Sequence, residues 1–377
     1  MLAATVDNKM IYMKKPRILF ITPLPPPVHG SAMVSQYITG CKELQGEFQC
    51  DFVNLSTSRN IDEIGKNSMM KYIRFIGAYF ITIWKLLTHR YALCYLAITC
   101  HGPGFLKDAP FVLLCKLLGR KVVLHQHNKG MSNCVDKLPY KWLLPLVYRN
   151  TRVILLSWYL YPDIEKVVKK EQVLICPNGI PELFEGEPHF ERNNSVPHIL
   201  FLSNLIPSKG VYVLLDALKI LKEKGYEFVC DFVGSESKEI TRNVFEQTVK
   251  EGGITDFAVY HGPKYGNEKA AYFADADIFV QPTMNDCFPL TLLEAMQYKL
   301  PIVTTDEGAI QDIVKDGING FICQSKNAAS LANAIETLLN SKEKCVDYGE
   351  TGYRNFKEKF TLCVFNRRIT ELLKECI

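Results

Sequence analysis

The sequence lacks the long apolar runs that mark membrane-spanning and secreted proteins. A membrane-spanning helix needs about 20 apolar residues, and the hydrophobic part of a signal peptide needs about 7–15. The apolar run after the first basic residues covers only Ile18 to Ile21, and Pro23 and the prolines at 25–27 end it. We therefore expect a cytoplasmic protein without a secretory signal, which can lie on a membrane surface without crossing it.

The sequence also lacks the cysteine patterns of disulfide frameworks and zinc sites. Its 13 cysteines are an odd number, none forms a CxxC pair, and no Cys/His cluster has zinc spacing. We expect reduced thiols that pack as small apolar side chains. Asp275 and Asp277 form a DxD pair, but Asp277 opens an apolar strand and Asp275 is better explained as a helix-end residue. We predict no metal site.

Common nucleotide and hydrolase motifs are missing as well. No P-loop, HExxH or GxSxG occurs. The nearest approach to a dinucleotide-binding GxGxxG is Gly102 and Gly104, with Lys107 where the third glycine belongs. We expect no dinucleotide or other cofactor from these motifs.

The formal net charge of +4 is small for 377 residues, but it hides a strong asymmetry. Residues 1–180 contain 23 Lys and Arg against 11 Asp and Glu, a net charge of +12, and the remainder carries −8. A basic half attracts an anionic partner, which is nucleic acid, anionic lipid or a phosphorylated substrate.

One segment favours lipid among these partners. Met69–Tyr91 contains ten uncharged, aromatic-rich residues at 75–84 with basic residues on both sides, and Leu138–Tyr148 has a similar character. Such a helix lies in a membrane interface. The alternative is a helix packed on a sheet with its basic residues in solvent. We predict contact with an anionic membrane surface and no nucleic acid.

Short apolar runs alternate with helical segments along the whole chain, which is typical of βαβ units and a parallel sheet. The segment 181–197 is polar, acidic and rich in proline, and it divides the pattern into two similar halves. We predict an α/β protein with two Rossmann-like domains facing a central cleft. The domains are residues 1–180 and 198–360, the linker is 181–197, and a helix over 361–377 is a candidate to cross back to the first domain.

Two loops have the character of phosphate-binding loops. The first, PPPVHGS, follows the first strand and ends in Gly30 and Ser31 before a helix. The second carries Lys209 and Gly210 after the first strand of the second half. A glycine lets the backbone approach a phosphate, a helix N-terminus favours an anion, and the lysine adds a cation. The alternative for each loop, taken alone, is a plain turn. The two loops, however, occupy corresponding places in the two halves.

Two further groups of polar residues end strands. His125 and His127 alternate at the end of one strand, so both side chains lie on one face and one can be structural while the other is functional. Asp286 lies in a loop and Glu294 lies eight positions later, in a predicted helix. Carboxylates accept hydrogen bonds from sugar hydroxyls. The plainer alternative is a helix-capping Asp and a surface Glu.

The segment DCFPLTLLEAM resembles the E-x7-E signature of retaining GT-B glycosyltransferases of glycosyltransferase family 4. FLSNLIPSKGVYVLLDAL, ICPNGI, ADADIFVQPT and TTDEGAIQDIVKDGINGFI resemble the surrounding segments of that family in its order. The resemblance covers most of residues 172–325. Over residues 1–130 it is looser and rests on the PPPVHGSA loop and the strand that ends in His127.

The resemblance implies a role for each matching residue. Lys209 and Gly210 would bind the diphosphate of the donor together with Gly30 and Ser31, and Glu294 would hold the ribose hydroxyls. Asp286 would lie by the hydroxyls of the donor sugar, and His127 beside the transferred sugar. The backbone of Cys287, Phe288, Pro289 and Leu290 would line the sugar–phosphate pocket.

The resemblance further implies retaining, metal-independent transfer from a UDP- or GDP-linked sugar to a glycan or a lipid-linked acceptor, in cell-surface polysaccharide or glycolipid synthesis. Two positions depart from the family pattern: Asp286 stands where Glu is usual, and Asn204 stands where a basic residue often accompanies the lysine. A nucleotide-sugar epimerase, a phosphorylase and a catalytically inert nucleotide-sugar-binding protein remain as alternatives.

Overall fold

Two parallel β-sheets organise the protein, each of six strands. The computed structural model describes residues 15–26, 30–56, 69–192 and 194–377. Most strand residues are buried, because helices cover both faces of a parallel sheet. The strands of the first sheet are β1 (Arg17–Thr22), β2 (Gln49–Asn54), β3 (Leu93–Ile98), β4 (Lys121–Gln126), β5 (Arg152–Leu155) and β6 (Val173–Ile175). Those of the second are β7 (His198–Leu202), β8 (Val229–Val233), β9 (Ala258–Gly262), β10 (Ile278–Gln281), β11 (Ile302–Thr305) and β12 (Gly320–Cys323).

Helices alternate with these strands, as the sequence pattern predicts. The helices described in the first half are α1 (Gly30–Thr39), α2 (Lys42–Glu47), α3 (Met69–Thr88), α4 (Gly102–Leu117) and α5 (Tyr140–Tyr148). Those of the second half are α6 (Val211–Glu223), α7 (Arg242–Glu251), α8 (Gly266–Asp275), α9 (Leu290–Gln297), α10 (Ile310–Ile313), α11 (Ala328–Leu339), α12 (Lys342–Lys359) and α13 (Leu362–Glu375). Among the described helices, none combines the length and the apolar character needed to cross a membrane.

The strand orders place a binding crevice in each half. The first sheet has the order β2-β1-β3-β4-β5-β6, and the second has β12-β11-β10-β7-β8-β9. The direction of strand addition therefore reverses between β1 and β3, and again between β7 and β10. Ligands of such sheets bind beyond the carboxyl ends of the strands at these switch points. Both loops with phosphate-binding character follow a strand at a switch point.

The last helix returns to the first sheet. The backbone of Ile180 accepts a hydrogen bond from Leu362 N–H at 2.7 Å and donates one to the carbonyl of Phe360 at 3.0 Å. From there α13 buries Phe365 and Ile369 in the same apolar cluster as the first-sheet residue Phe20. The crossing back of the C-terminal helix is therefore confirmed.

The beginning of α7 is set by a capping residue. The Thr241 side chain accepts a hydrogen bond from Val244 N–H at 3.4 Å, and the helix begins at Arg242. The strand β12 has four residues and no long apolar run, so the sequence pattern does not mark it.

Candidate active site

A cavity of about 430 Å³ lies between the two halves of the protein. We call it the first cavity and define it by Gly30 from the start of α1 and by Lys209, Asp286 and Glu294 from the second half. Phe288, Pro289 and Leu290 line it as well. Seven of the residues that the sequence analysis assigns to one site therefore line the first cavity.

A tight turn presents Lys209 to this cavity. Residues Pro207–Lys209 form one turn of 3₁₀-helix after β7, and Gly210 follows with a φ of +86°. A Cβ at position 210 would overlap the carbonyl oxygen of Pro282, so the turn requires glycine at this position. The ammonium of Lys209 donates a hydrogen bond to Asp286 Oδ2 at 2.5 Å and another to the carbonyl of Asn285 at 3.2 Å.

Hydrogen bonds and a closely packed glycine fix the loop that carries Asp286. Cys287 N–H donates to Asp286 Oδ1 at 2.9 Å, and the carbonyl of Cys287 accepts a hydrogen bond from Ala309 N–H at 2.8 Å. Gly308 has a φ of +58°, and a Cβ there would overlap the carbonyl of Asp286. Burial raises the pKa of the Cys287 thiol to about 12, so this cysteine is an apolar packing group and not a nucleophile.

Glu294 projects from α9 and forms an ion pair. Its Oε1 accepts a hydrogen bond from Lys269 Nζ of α8 at 2.6 Å, and both side chains are about one quarter exposed. Lys269 also lines the first cavity. The charge of Glu294, which lies in an apolar stretch of sequence, is therefore compensated by a lysine 25 positions earlier.

His127 lies just after β4 on a buried polar stack. Its ring is 4.0 Å from the ring of His125, measured between centroids, and His125 Nδ1 is 2.6 Å from the hydroxyl of Tyr95. Burial, and secondarily the neighbouring His127, lowers the pKa of His125 well below its usual value. Of the two histidines, His125 is fully buried, whereas His127 is partly exposed although its two ring nitrogens are buried.

A second cavity of about 850 Å³ adjoins the loop after β4. The side chains of Lys129 and Ser132 line it from the first half, and Met284 and Asn285 line it from the second. The carboxylate of Asp163 shapes its wall by accepting hydrogen bonds from three successive backbone N–H groups, those of residues 130–132, at 2.9–3.1 Å.

Two polar contacts join the halves beside the second cavity. Lys129 forms an ion pair with Glu307, and Ser157 Oγ donates a hydrogen bond to Asp312 Oδ2 at 2.5 Å. Both contacts join a residue of the first half to a residue of the second half.

Four predicted site residues do not line the first cavity. His127 directly follows β4 at the carboxyl edge of the first sheet. Gly210 packs against the carbonyl of Pro282, and Cys287 is buried. Ser31 lies in the first turn of α1, where its carbonyl accepts a hydrogen bond from Ser35 Oγ at 2.9 Å. Residues 27–29 of the first predicted phosphate loop lie outside the described residues.

Sequence reasoning missed the other cations and the aromatic ring of the first cavity. Lys264, Tyr265 and Lys269 line it from the segment after β9, and the Tyr265 side chain is 60% exposed. No spacing in the sequence marks them. Asn204, which replaces a basic residue of the family pattern, accepts a hydrogen bond from Ser235 N–H at 3.2 Å and joins two cavity loops.

The Asp275–Asp277 pair has a structural environment. Asp277 Oδ2 accepts hydrogen bonds from His198 N–H at 2.8 Å and from Asn194 Nδ2 at 3.1 Å. Asp275 Oδ2 lies 3.3 Å from His198 Nδ1. These contacts join the end of the linker and the start of β7 to the segment between α8 and β10.

Sequence relatives are glycosyltransferases. Residues 186–355 match the family described as glycosyl transferases group 1. An uncharacterized glycosyltransferase of Methanocaldococcus jannaschii is 26% identical over 229 residues, which are 60% of this chain and 61% of that protein. The amylovoran biosynthesis glycosyltransferase AmsK of Erwinia amylovora is 24% identical over 182 residues, 47% of this chain and 44% of that protein. The chain thus spans less than two thirds of either relative.

Solved structures share the whole fold. Sucrose-phosphate synthase from Thermosynechococcus elongatus superposes with a TM-score of 0.75 at 16% identity, covering 96% of this chain and 99% of that one. Anabaena HepE in complex with UDP superposes with a TM-score of 0.74 at 16% identity, covering 95% and 100%. The predicted GT-B fold is confirmed. Residues 186–355, a little under half of the chain, are similar to the glycosyl transferases group 1 family.

Proposed function

We propose that the protein is a retaining glycosyltransferase that moves a hexose or related sugar from a UDP- or GDP-linked donor to a glycan or lipid-linked acceptor. The observation that carries this proposal is the meeting of Lys209, Asp286 and Glu294 in one cavity, which Gly30 borders from the other half. A cation and two hydroxyl-binding carboxylates in one cleft fit a sugar joined to a diphosphate.

The descriptions of two similar proteins support a UDP-linked donor and a role in polysaccharide synthesis. HepE is described in complex with UDP, and AmsK is named for amylovoran biosynthesis. We therefore place this protein in cell-surface polysaccharide or glycolipid synthesis and prefer a uridine donor. In this proposal residues 198–360 bind the donor, and residues 1–180 bind the acceptor through the second cavity.

Lys209 has the central electrostatic role. When the bond between the anomeric carbon and the diphosphate oxygen breaks, negative charge grows on the leaving diphosphate. The Lys209 ammonium, the backbone N–H groups of the Gly30 and Gly210 loops and the N-terminus of α6 would stabilise that charge. With these donors we propose that transfer needs no metal ion.

The remaining site residues orient the sugar. Asp286 would accept hydrogen bonds from the sugar hydroxyls, Glu294 from the ribose hydroxyls, and His127 would lie beside the transferred sugar. The acceptor hydroxyl would form the new bond to the anomeric carbon on the face that the diphosphate leaves, and its proton would pass to a leaving phosphate oxygen. An inverted anomeric configuration in the product, read from the proton coupling constant by NMR, would contradict this course.

The test of the proposed function compares Lys209→Ala and Glu294→Ala with wild type in a transfer assay. We expect Lys209→Ala to lower kcat by roughly 10²–10³, as the loss of one preorganised donor to a developing anion does. We expect Glu294→Ala to raise KM for the nucleotide sugar more than it lowers kcat.

Lys219→Ala is the matched control, because Lys219 forms a surface ion pair with Asp216 outside the cavity. An epimerase would interconvert the donor without any acceptor, and a phosphorylase would need inorganic phosphate. If the wild-type protein binds nucleotide sugar but transfers no sugar, it is a catalytically inert binding protein, and the proposal would be wrong.

We also propose that the protein works at the cytoplasmic face of a membrane, bound there through α3. Nine large apolar side chains of this helix are at least 49% exposed, and Lys71 and Lys85 lie near its two ends. An apolar face with basic flanks suits an anionic lipid surface. On α5, Trp142 is 69% exposed, which adds an aromatic anchor from the second segment that the sequence singled out.

A further inference from the structure

A basic pocket lies at the edge of the first sheet that is remote from the cleft. Its volume is about 760 Å³, and we define it by the five cations that line it: Lys15, Arg17, Arg90, Arg120 and Lys121. Among the described residues that line this basic pocket, none has a carboxylate side chain. Nothing in the proposed transfer reaction uses it.

The topology separates the basic pocket from the first cavity. Arg17 is the first residue of β1 and Lys121 is the first residue of β4. Since the strands are parallel, their amino ends meet at one edge and the carboxyl ends, with His127, at the other. Six residues of strand span about 20 Å. A ligand in the basic pocket therefore cannot touch the proposed reacting groups.

The positive charge of the basic pocket is only partly compensated. Among the described residues, Asp51 forms an ion pair with one of these cations, Arg17, whose Nε lies 3.4 Å from the carboxylate. The same carboxylate lies 3.4 Å from Lys85 Nζ and accepts a hydrogen bond from the Tyr91 hydroxyl at 2.9 Å. One carboxylate thus serves two cations. Lys15 donates a hydrogen bond to the carbonyl oxygen of Gln45, and Lys121 donates one to the terminal main-chain oxygen of Ile377, which offsets part of the Lys121 charge.

Arg120 adds a donor that is held in place. One terminal nitrogen of its guanidinium donates to the carbonyl of Leu86 at 3.2 Å, which fixes the half-buried group. Its Nε is buried and has no hydrogen-bond partner in the described part of the chain. A guanidinium matches the paired oxygens of a phosphate.

We propose that the basic pocket binds a phosphate group, as a phosphomonoester or a diphosphate. A multiply charged anion with several acceptor oxygens can engage Arg90, Arg120 and Lys121 together, whereas a single carboxylate would leave most of the charge uncompensated. The basic pocket includes Thr88 and His89, directly at the end of α3. The phosphate therefore comes either from a lipid headgroup beside the exposed face of α3 or from a soluble phosphate compound.

The experiment measures pyrophosphate binding by calorimetry in the Lys209→Ala background, which removes the lysine that we propose binds the donor diphosphate. We expect one bound equivalent. The double variant Arg90→Glu/Lys121→Glu, whose altered side chains are exposed, should weaken binding at least tenfold. The control Lys42→Glu/Lys166→Glu makes the same charge change at exposed positions outside the basic pocket and should leave binding within about twofold.

Vesicle flotation distinguishes the two sources of phosphate. If Arg90→Glu/Lys121→Glu reduces binding to phosphatidylcholine vesicles that contain phosphatidic acid, and pyrophosphate competes, the ligand is a lipid headgroup. If only pyrophosphate binding depends on the basic pocket, the ligand is soluble. The proposal is overturned if the Lys209→Ala protein binds no pyrophosphate or if both double variants weaken binding equally.

Discussion

Each of the two carboxylates in the first cavity forms an ion pair with a lysine. Asp286 pairs with Lys209 and Glu294 pairs with Lys269, at 2.5 and 2.6 Å. In the proposed function, a nucleotide diphosphate would bring negative charge into this cavity and give both lysines a new partner. Lys269 is one of the cations that line the cavity in addition to Lys209.

Lys269→Met should therefore weaken donor binding. We expect KM for the nucleotide sugar to rise roughly threefold to tenfold with kcat nearly unchanged, because the lost interaction acts on bound substrate and transition state alike. Lys269→Arg, which keeps the charge, should restore most of the affinity. Steady-state kinetics with both variants checks this, and an unchanged KM for Lys269→Met would show that its pairing with Glu294 is only structural.

The buried His125 makes stability depend on pH. Its folded-state pKa is lowered by burial, while in the unfolded chain the pKa is about 6.5. Below that pH the unfolded chain binds a proton that the folded protein does not, so the free energy of unfolding falls as the pH falls. The stabilisation is complete above about pH 6.5 and is lost below it.

Urea unfolding of His125→Gln at pH 7.5 and 5.5 measures this contribution. The wild type should lose about 1 kcal/mol more than the variant over this interval. His189→Gln, at an exposed histidine, is the control and should lose as much as the wild type. Equal losses in the wild type and His125→Gln would contradict the argument.

At the scale of single elements, α3 has the most unusual surface. Its exposed residues Met69, Ile73, Ile76, Phe80, Trp84 and Leu87 follow each other by three or four positions and form one stripe along the helix. The opposite face packs on the protein through Phe75 and Tyr79, whose rings meet Phe111 of α4 edge-on. The helix is therefore both packed on the first domain and apolar on its outer side.

Phe80→Glu/Trp84→Glu should abolish membrane binding without unfolding the protein. These side chains are 64% and 59% exposed, and burying each in lipid would contribute about 1.5–3 kcal/mol. We expect at least a tenfold loss of flotation with anionic vesicles. Val346→Glu, at an exposed apolar residue of α12, is the control. Equal wild-type binding to neutral and anionic vesicles, or none, would count against the proposal.

At the scale of the whole molecule, α13 ties the last residues to the first domain. Leu373 is fully buried in the same apolar cluster as Ile18 and Leu44. Leu373→Ala leaves a cavity there and should lower the free energy of unfolding by about 2–5 kcal/mol. Cys363→Ala, at an exposed position of the same helix, should have little effect. Chemical denaturation of both variants checks this, and equal stabilities would show that α13 does not hold the first domain.

The sequence by itself determined most of the order of strands and helices, and its resemblance to a known family predicted the GT-B class. Short apolar runs such as Ile18–Ile21 are long enough to predict buried strands, and the strand β1 contains this run. The helix over Leu290–Gln297 and its preceding loop were readable because Asp286 and Glu294 keep a fixed spacing in a recognisable segment. Such local signals need no knowledge of distant residues.

Only the tertiary structure decided which charges meet. The partners Lys269 and Glu294 are 25 positions apart, and Lys129 meets Glu307 across the cleft. The basic pocket joins side chains from Lys15 to Lys121, which no spacing connects. Periodicity reports which face of an element is buried, but charge pairing depends on how the two sheets and their loops are placed in space, and that is a property of the packed chain.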